Sequence, residues 1–379
     1  MSGYPLHSAA VAQPGWYPDP WRVAAWRWWD GRTWTAHVAQ ATPERKPRLP
    51  AWLSVPVVLG SIITLPFVVY IAITQPLAIA AGLVPLAIVL PTLAWLDRVE
   101  PEPRSSRLHA VLWGGTVAGL VAAVVNSIVA AASSETVAAV VSAPLVEEGM
   151  KALGVVWALR RREVDGVMDG IVYAGWVALG FAVVEDFTYF ANAATGGMLL
   201  PVFILRALIT PFAHPLFTSW TGLAIGLAVA RRKPVAAYIA WGYPLSVLSH
   251  AAWNGSLTAA EDSESAANVL LAFGCFVLLF LAAAVTVIVI RRDQRRQFER
   301  SVPMLAARYS IPPHEAQLYA QWRAMLRSRR RLPRANRHHF DAVHASLARL
   351  ALLHARPGPI DPADEQRLAE QLHRARAGG

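Results

Sequence analysis

The sequence predicts an all-α polytopic membrane protein, and three observations predict it. The 379-residue chain is 55% apolar and only 16% charged, where a soluble domain carries about 25% charge. Eight apolar stretches each approach the ~20 residues needed to cross about 30 Å of hydrocarbon. Basic residues are confined to alternate loops between those stretches. Around this membrane portion (residues 51–290) the sequence places a small Trp-rich β-type module at 14–38, a linker at 39–50 and a basic helical tail at 291–379.

Residues 14–38 read PGWYPDPWRVAAWRWWDGRTWTAHV. Six tryptophans and a Trp-Asp-Gly turn in so short a stretch predict a hairpin or small sheet with an aromatic face. The Gly-Trp-Tyr-Pro-Asp-Pro opening and Trp-Trp-Asp-Gly-x-x-Trp-Thr close resemble a short Trp-rich domain of unknown function, common near the termini of actinobacterial membrane proteins. We read it as a docking module for a cytoplasmic partner, with a mere capping element as the blander alternative. Residues 1–50 hold no apolar h-region, so no cleavable signal peptide is expected.

The spans fall at about 51–73, 77–96, 108–132, 136–159, 167–191, 199–230, 235–257 and 268–290. The first two contain Pro56, Pro66, Pro76, Pro85 and Pro91, tolerable in a membrane. The sixth is long and is expected to begin with a broken or re-entrant piece near Pro201 and Pro211. Loop charge supports the count independently. Arg45, Lys46 and Arg48 precede the first span; Arg98, Arg104 and Arg107 follow the second; Arg160, Arg161 and Arg162 follow the fourth; Arg231, Arg232 and Lys233 follow the sixth. The intervening loops carry neither Lys nor Arg. All basic loops then lie on one side, placing both termini in the cytoplasm of a multi-pass protein of the cell membrane.

The net charge of +10 equals the excess in residues 291–379, where 18 Arg face 8 acidic residues. That tail reads as a positive-inside segment lying on the anionic bilayer surface, and no specific nucleic acid is expected. Its helical spacing fades towards 357–379, read as loosely ordered. The single cysteine, Cys275, excludes an intrachain disulfide framework and a Cys-rich zinc site.

Chemistry enters through misplaced ionisable groups. Each costs about 2.5–3.5 kcal/mol at the bilayer centre even on the mildest scale. Glu147, Glu148 and Lys151 lie in the fourth span, where spacings of three and four put the lysine beside both carboxylates. The fifth carries Phe181, Glu185 and Asp186, the sixth Arg206 and His214, the seventh His250 and Asn254 at i and i+4. One such group alone reads as an interhelical hydrogen bond; their recurrence on four successive spans reads as a hydrolytic site. Counting along the expected spans puts Glu148 about 18 Å, and Glu185 and His250 roughly 10 Å, from the outer ends of their helices. A cavity holding them would open to the extracytoplasmic side.

No His-Glu-x-x-His, Gly-x-Gly-Asp or Gly-x-Ser-x-Gly occurs, which removes zincin, presenilin-like and rhomboid-like sites. Two mechanisms fit the remainder. In one, Glu185, His214 and His250, with one of Glu147 and Glu148, hold a divalent metal such as zinc, and the free glutamate is the base. In the other no metal binds, a glutamate with a histidine activates water, and His250 with Asn254 stabilises the oxyanion. Spacing leaves both open.

At these residues the chain resembles a known family. Glu-Glu-x-x-Lys (147–151), Phe-x-x-x-Glu (181–185), His214 and His-x-x-x-Asn (250–254) look like the four motifs of the PrsW family of intramembrane proteases, in the family's order over residues 50–290. That family belongs to the superfamily of CAAX prenyl proteases and bacteriocin-processing enzymes. The resemblance implies an intramembrane endopeptidase that cuts a membrane-anchored protein, such as an anti-sigma factor, on its extracytoplasmic side. It implies catalytic roles for Glu147, Glu148, Lys151, Glu185, His214, His250 and Asn254. Asp186 stands where members of the family often carry Asn. The rival readings are a proton-coupled carrier using the same groups as a relay and an inactive scaffold; no inverted repeat supports the carrier.

Overall fold

The computed structural model describes residues 15–39 except 22 and 25, then 54–263, 266–356 and 360–377. The linker at 40–50 lies outside the described residues. The chain forms two compact units, one of residues 47–291 and one combining the N-terminal module with residues 292–379.

In the first unit the apolar stretches become helices α1 (Val55–Thr74), α2 (Pro76–Leu96) and α3 (Arg104–Ala132). Then follow α4 (135–160), α5 (Val167–Thr195), α6 (199–209), α7 (Ala213–Ala230), α8 (Val235–Ser263) and α9 (Ala266–Arg308), of which residues 292–308 belong to the second unit. Pro56 and Pro76 each stand at the start of a helix, where a missing N–H costs nothing. Among the described residues six helical stretches are long and apolar enough to cross a membrane, with α6 and α7 counted as one, Leu199–Ala230. The two long helices outside that set are α4 and α8. They are the ones that carry Glu147, Glu148 and Lys151, and His250 with Asn254. The expected broken start of the sixth span is present as the α6–α7 break at 210–212.

Helix α5 is the centre of the unit. In its most apolar 18-residue stretch 83% of residues are buried, against 22–28% in α1, α2 and α3 and 6% in α9. The outer helices therefore leave wide apolar faces, such as Ile62, Ile63, Leu77 and Leu278, for lipid. Close backbone approach fixes α5 on two sides. A Cβ on Gly170 would collide with the Gly222 carbonyl of α7, and one on Gly180 with the Val111 carbonyl of α3. Small residues at a membrane crossing supply such packing. Both α5 and α8 extend beyond the expected ends, to Thr195 and Ser263. Glu185 and His250 therefore lie about 15 and 20 Å from those ends.

Among the described residues three helices contain π-helical turns: Trp113–Ala118 in α3, Ala138–Ser142 in α4 and Ile204–Ile209 in α6. Each adds a residue to the turn, and such turns recur at functional sites.

The second unit opens with β1 (Gly15–Pro18), β2 (Trp26–Trp29) and β3 (Trp34–Ala39), an antiparallel sheet in the order β1-β2-β3. The signature residues make its turns. Asp19 accepts from the backbone N–H groups of Trp21, Val23 and Ala24 and from Arg27 Nε, which last holds its carboxyl down at about 2. Asp30 caps the second turn through the Arg32 and Thr33 N–H groups, and Gly31 adopts φ 98° there.

The tail adds α10 (Pro313–Ala320), α11 (Trp322–Arg331), α12 (Arg334–Ala355) and α13 (Pro362–Ala377). Most of the stretch read as loosely ordered is thus α13, because Leu368, Ala369 and Leu372 give it an apolar stripe to bury. The Trp26 indole donates to Glu370 Oε1 at 2.7 Å and its ring lies 5.4 Å from that of His373. The module accordingly finds a partner within its own chain.

His344 is buried in this unit against Phe298, Tyr319 and Trp322. Burial holds its imidazole neutral and pushes its pKa down to about 4. The unfolded chain takes up that proton from about pH 6.5 downward. The resulting stability is fully present above pH 6.5 and is lost as pH falls towards 4, about 3 kcal/mol in all. Hydrogen-exchange protection factors along α12 should fall over that window, and His344→Phe should flatten the dependence. An unchanged profile in the variant would assign it to another group.

Candidate active site

Helix α4 brings its three ionisable groups into the interior because Pro144 and the π turn ahead of it orient the following α-helical run against α5 and α7. Glu147, Glu148 and Lys151 are all buried, the last two completely. Lys151 Nζ lies 2.9 Å from Glu148 Oε1 and 3.4 Å from Glu147 Oε2. It also sits 3.9 Å from the centroid of the Phe181 ring and 3.1 Å from His214 Nδ1. A cation–π contact in so dry a place is among the stronger of its kind.

The two glutamates differ in how fully they are engaged. Glu148 accepts from Thr218 Oγ1 at 2.8 Å as well as from Lys151, and pairs with His250 Nδ1 at 3.1 Å. Glu147 has only long contacts: Asn126 Nδ2 at 3.5 Å, Lys151 at 3.4 Å and His250 Nε2 at 3.9 Å. Glu148 is anchored and Glu147 is uncommitted.

Each histidine has its own carboxylate. His214 Nε2 lies 2.6 Å from Glu185 Oε2, and His250 Nδ1 faces Glu148. A carboxylate can only accept, so these ring nitrogens carry the protons. The lone pairs are then on His214 Nδ1 and His250 Nε2. The second imidazole lies 5.5 Å from the first and stacks on Phe217 at 4.9 Å. Behind His214, Arg206 on α6 donates to Glu185 Oε2 and to Asp186 Oδ1, both at 2.6 Å, and covers the Tyr189 ring at 4.0 Å. The buried Asp186 carboxylate therefore meets a half-buried guanidinium.

Helix ends provide a check on depth. Measured from the ends next to the Arg and Lys loops, Glu148, Glu185, His214 and His250 lie 12, 18, 16 and 15 residues along their helices. At 1.5 Å per residue these are about 18, 27, 24 and 22 Å. Four helices thus deliver their polar groups to one level.

Two side chains make contacts other than those expected. Asn254 was expected to share the cavity with His250 and stabilise an oxyanion. Instead its amide donates to the Ala139 carbonyl at 2.8 Å, in the π turn of α4, where the wider ring frees carbonyls. Glu185, expected among the metal ligands, faces His214 Nε2, and among the described residues Glu147, His214 and His250 form one group whose ligand atoms lie within 4.8 Å of one another. Glu185 supports His214 from behind. Thr218, Asn126, Phe217 and Tyr189 escape a search for misplaced ionisable groups, because none of them carries a charge.

The donors fit a divalent metal. One carboxylate and two imidazoles form a common zinc set, and both imidazoles have the outer carboxylate partners such ligands require. Counted formally, Glu147, Glu148, Glu185 and Asp186 face only Lys151 and Arg206. One divalent cation would offset that excess of two negative charges, as would two protonated histidines. Lys151 competes at one point, since its ammonium already faces the lone pair of His214 Nδ1.

Acid, base and imidazole groups meeting inside a bundle of membrane helices mark the class of intramembrane hydrolases. The sequence model of the PrsW family intramembrane metalloproteases matches residues 102–289, and that of a protein of unknown function, DUF2510, matches 14–47. The chain is 31% identical over 190 residues to Protease PrsW of Geobacillus kaustophilus (strain HTA426), covering 48% of this chain and 80% of that one. It is 40% identical over 86 residues to Protease PrsW of Clostridioides difficile (strain 630), covering 22% of this chain and 36% of that one. No solved structure matches significantly. The chain belongs to the PrsW family, and with that membership it is a peptidase of the membrane rather than a carrier.

Proposed function

We propose that this protein hydrolyses a peptide bond of a membrane-anchored protein, such as an anti-sigma factor, near the extracytoplasmic side of the cell membrane. Both termini lie in the cytoplasm and α1–α9, with α6 and α7 as one, make eight crossings. The observation that carries the reading is the convergence of Glu147, His214 and His250 from three helices, each imidazole held by its own carboxylate.

Glu147, His214 and His250 would hold a divalent ion, zinc by the chemistry of the set. When bound, it lowers the pKa of water towards neutrality and polarises the scissile carbonyl. The rest is done by the chain. Glu185, fixed by Arg206, keeps His214 Nδ1 free of a proton, and Glu148, fixed by Thr218 and Lys151, does the same for His250 Nε2. Each of the three ligands needs to offer only one atom. The other Glu147 oxygen can then take the proton of the attacking water and return it to the leaving amine as the C–N bond breaks. Phe181 and Phe217 close the aromatic walls around the imidazoles.

Purified protein should contain one divalent ion per chain by elemental analysis, and His214→Ala should lose it. Cleavage of a fluorogenic anti-sigma reporter in nanodiscs should vanish with the ion and return when zinc is restored. Fully active protein without stoichiometric metal would leave the peptidase reading standing and remove the metal from it.

A further inference from the structure

The α6–α7 break lies in the wrong place for an ordinary helix interruption. It is separated from the Arg231–Lys233 loop by the 18 residues of α7, about 27 Å of helix. That is the level of the site, and His214 is in the first turn beyond it. Irregular backbone at membrane depth survives only where it is buried or lines a cavity. Thr210 in the break is buried, while Leu208 and Ile209, the last residues of α6 before it, are 53% and 43% exposed.

The hydrogen-bond account explains why this matters. Thr210 N–H and Oγ1–H both go to the Leu205 carbonyl, Ala213 N–H to Thr210 and Leu216 N–H to Phe212. Pro211 and Pro215 have no N–H to give. Among the described residues no backbone N–H reaches the carbonyls of Leu208 or Ile209. Two acceptors in apolar surroundings are therefore left without a backbone donor. Next to them is an apolar cavity of about 240 Å³ lined by Ile88, Leu208, Phe212, Phe276 and Phe280. Its wall is continuous with the site, because Phe276 meets Phe217, which stacks on His250.

We propose that this break is the substrate cleft. An unwound, extended segment at the end of the substrate's membrane span donates backbone N–H groups to the Leu208 and Ile209 carbonyls. One apolar side chain of that segment fills the cavity, and the scissile bond then lies towards His214. Extended pairing recognises backbone without regard to sequence, and the pocket adds the preference. The substrate class this defines is a single-span protein whose helix unwinds next to a large apolar residue. The inference rests on the peptidase reading.

The test separates the two. The probe is a synthetic peptide with a span of about 20 Leu and Ala residues and a short polar extension, carrying benzoyl-phenylalanine at successive positions near the junction. It is mixed in nanodiscs with the inactive Glu147→Gln protein, so capture does not depend on turnover. One position should crosslink to residues 276–280, and backbone N-methylation of the peptide at one or two neighbouring positions should cut capture tenfold or more. Val277→Trp should lower capture at the same position. Crosslinks confined to other helices, indifference to N-methylation, or lipid trapped there in place of peptide would each overturn the cleft. Capture with full sensitivity, but no cleavage by the unmodified protein, would uphold the cleft and sink the hydrolysis.

Discussion

Glu147→Gln should leave a folded protein that cleaves nothing measurable, a loss of about 10²–10⁴ in rate if general-base assistance alone is removed. The amide keeps the volume and shape of the side chain but cannot take a proton from water. It also forfeits one of the three groups able to hold an ion. Stability should be little affected, because all the partners of Glu147 lie at 3.4 Å or beyond and because the cluster already has an excess of negative charge. Cleavage of a reporter in nanodiscs is the measurement, with thermal unfolding as its control. Activity within threefold of the parent would move the base elsewhere, to Glu148 first.

Lys151→Met should do the opposite, removing stability before anything else. The ammonium is fully buried and is the nearest cation to Glu147 and Glu148. Deleting one member of a buried charge pair typically costs about 3–5 kcal/mol, since its partner stays behind uncompensated. For a unit of this size that is a fall of roughly 10 °C in the melting temperature. The double variant Glu148→Gln/Lys151→Met should recover most of the loss, because a neutral amide needs no counter-ion and can still bond Thr218. Recovery in the double variant would establish charge compensation; equal losses in both would mean that Lys151 acts through packing, on Phe181 above all.

How much of this could be read from the sequence follows from what a membrane makes conspicuous. Glu147, Glu148, Lys151, Glu185, His214 and His250 stood out because each costs energy in hydrocarbon, and the structure gathers their side chains at one level. The helix positions were legible for the same reason, down to the break near Pro211. Pairings were not. Nothing in the spacing says that His214 turns its Nε2 to Glu185 or that Asn254 reaches back to Ala139, since both depend on rotations of one helix about another. Thr218 and Asn126 looked like ordinary small polar residues of a span. The union of the Trp-rich module with α13 escaped because Trp26 and Glu370 are 344 positions apart and neither is unusual where it stands.

The π turn at Ala138–Ser142 has a consequence for how such a chain can change. A five-residue ring is what remains when one residue is inserted into a helix whose two ends are each held in place. Below it α4 is committed to its carboxylates; the turn itself is held by Asn254 on the Ala139 carbonyl, and above it the segment from Glu135 begins after a short loop. Lengthening or shortening of the chain by one residue can therefore be absorbed there without rotating Glu147 out of register. The end of α4 near Glu135 can therefore change in length while the carboxylates keep their places.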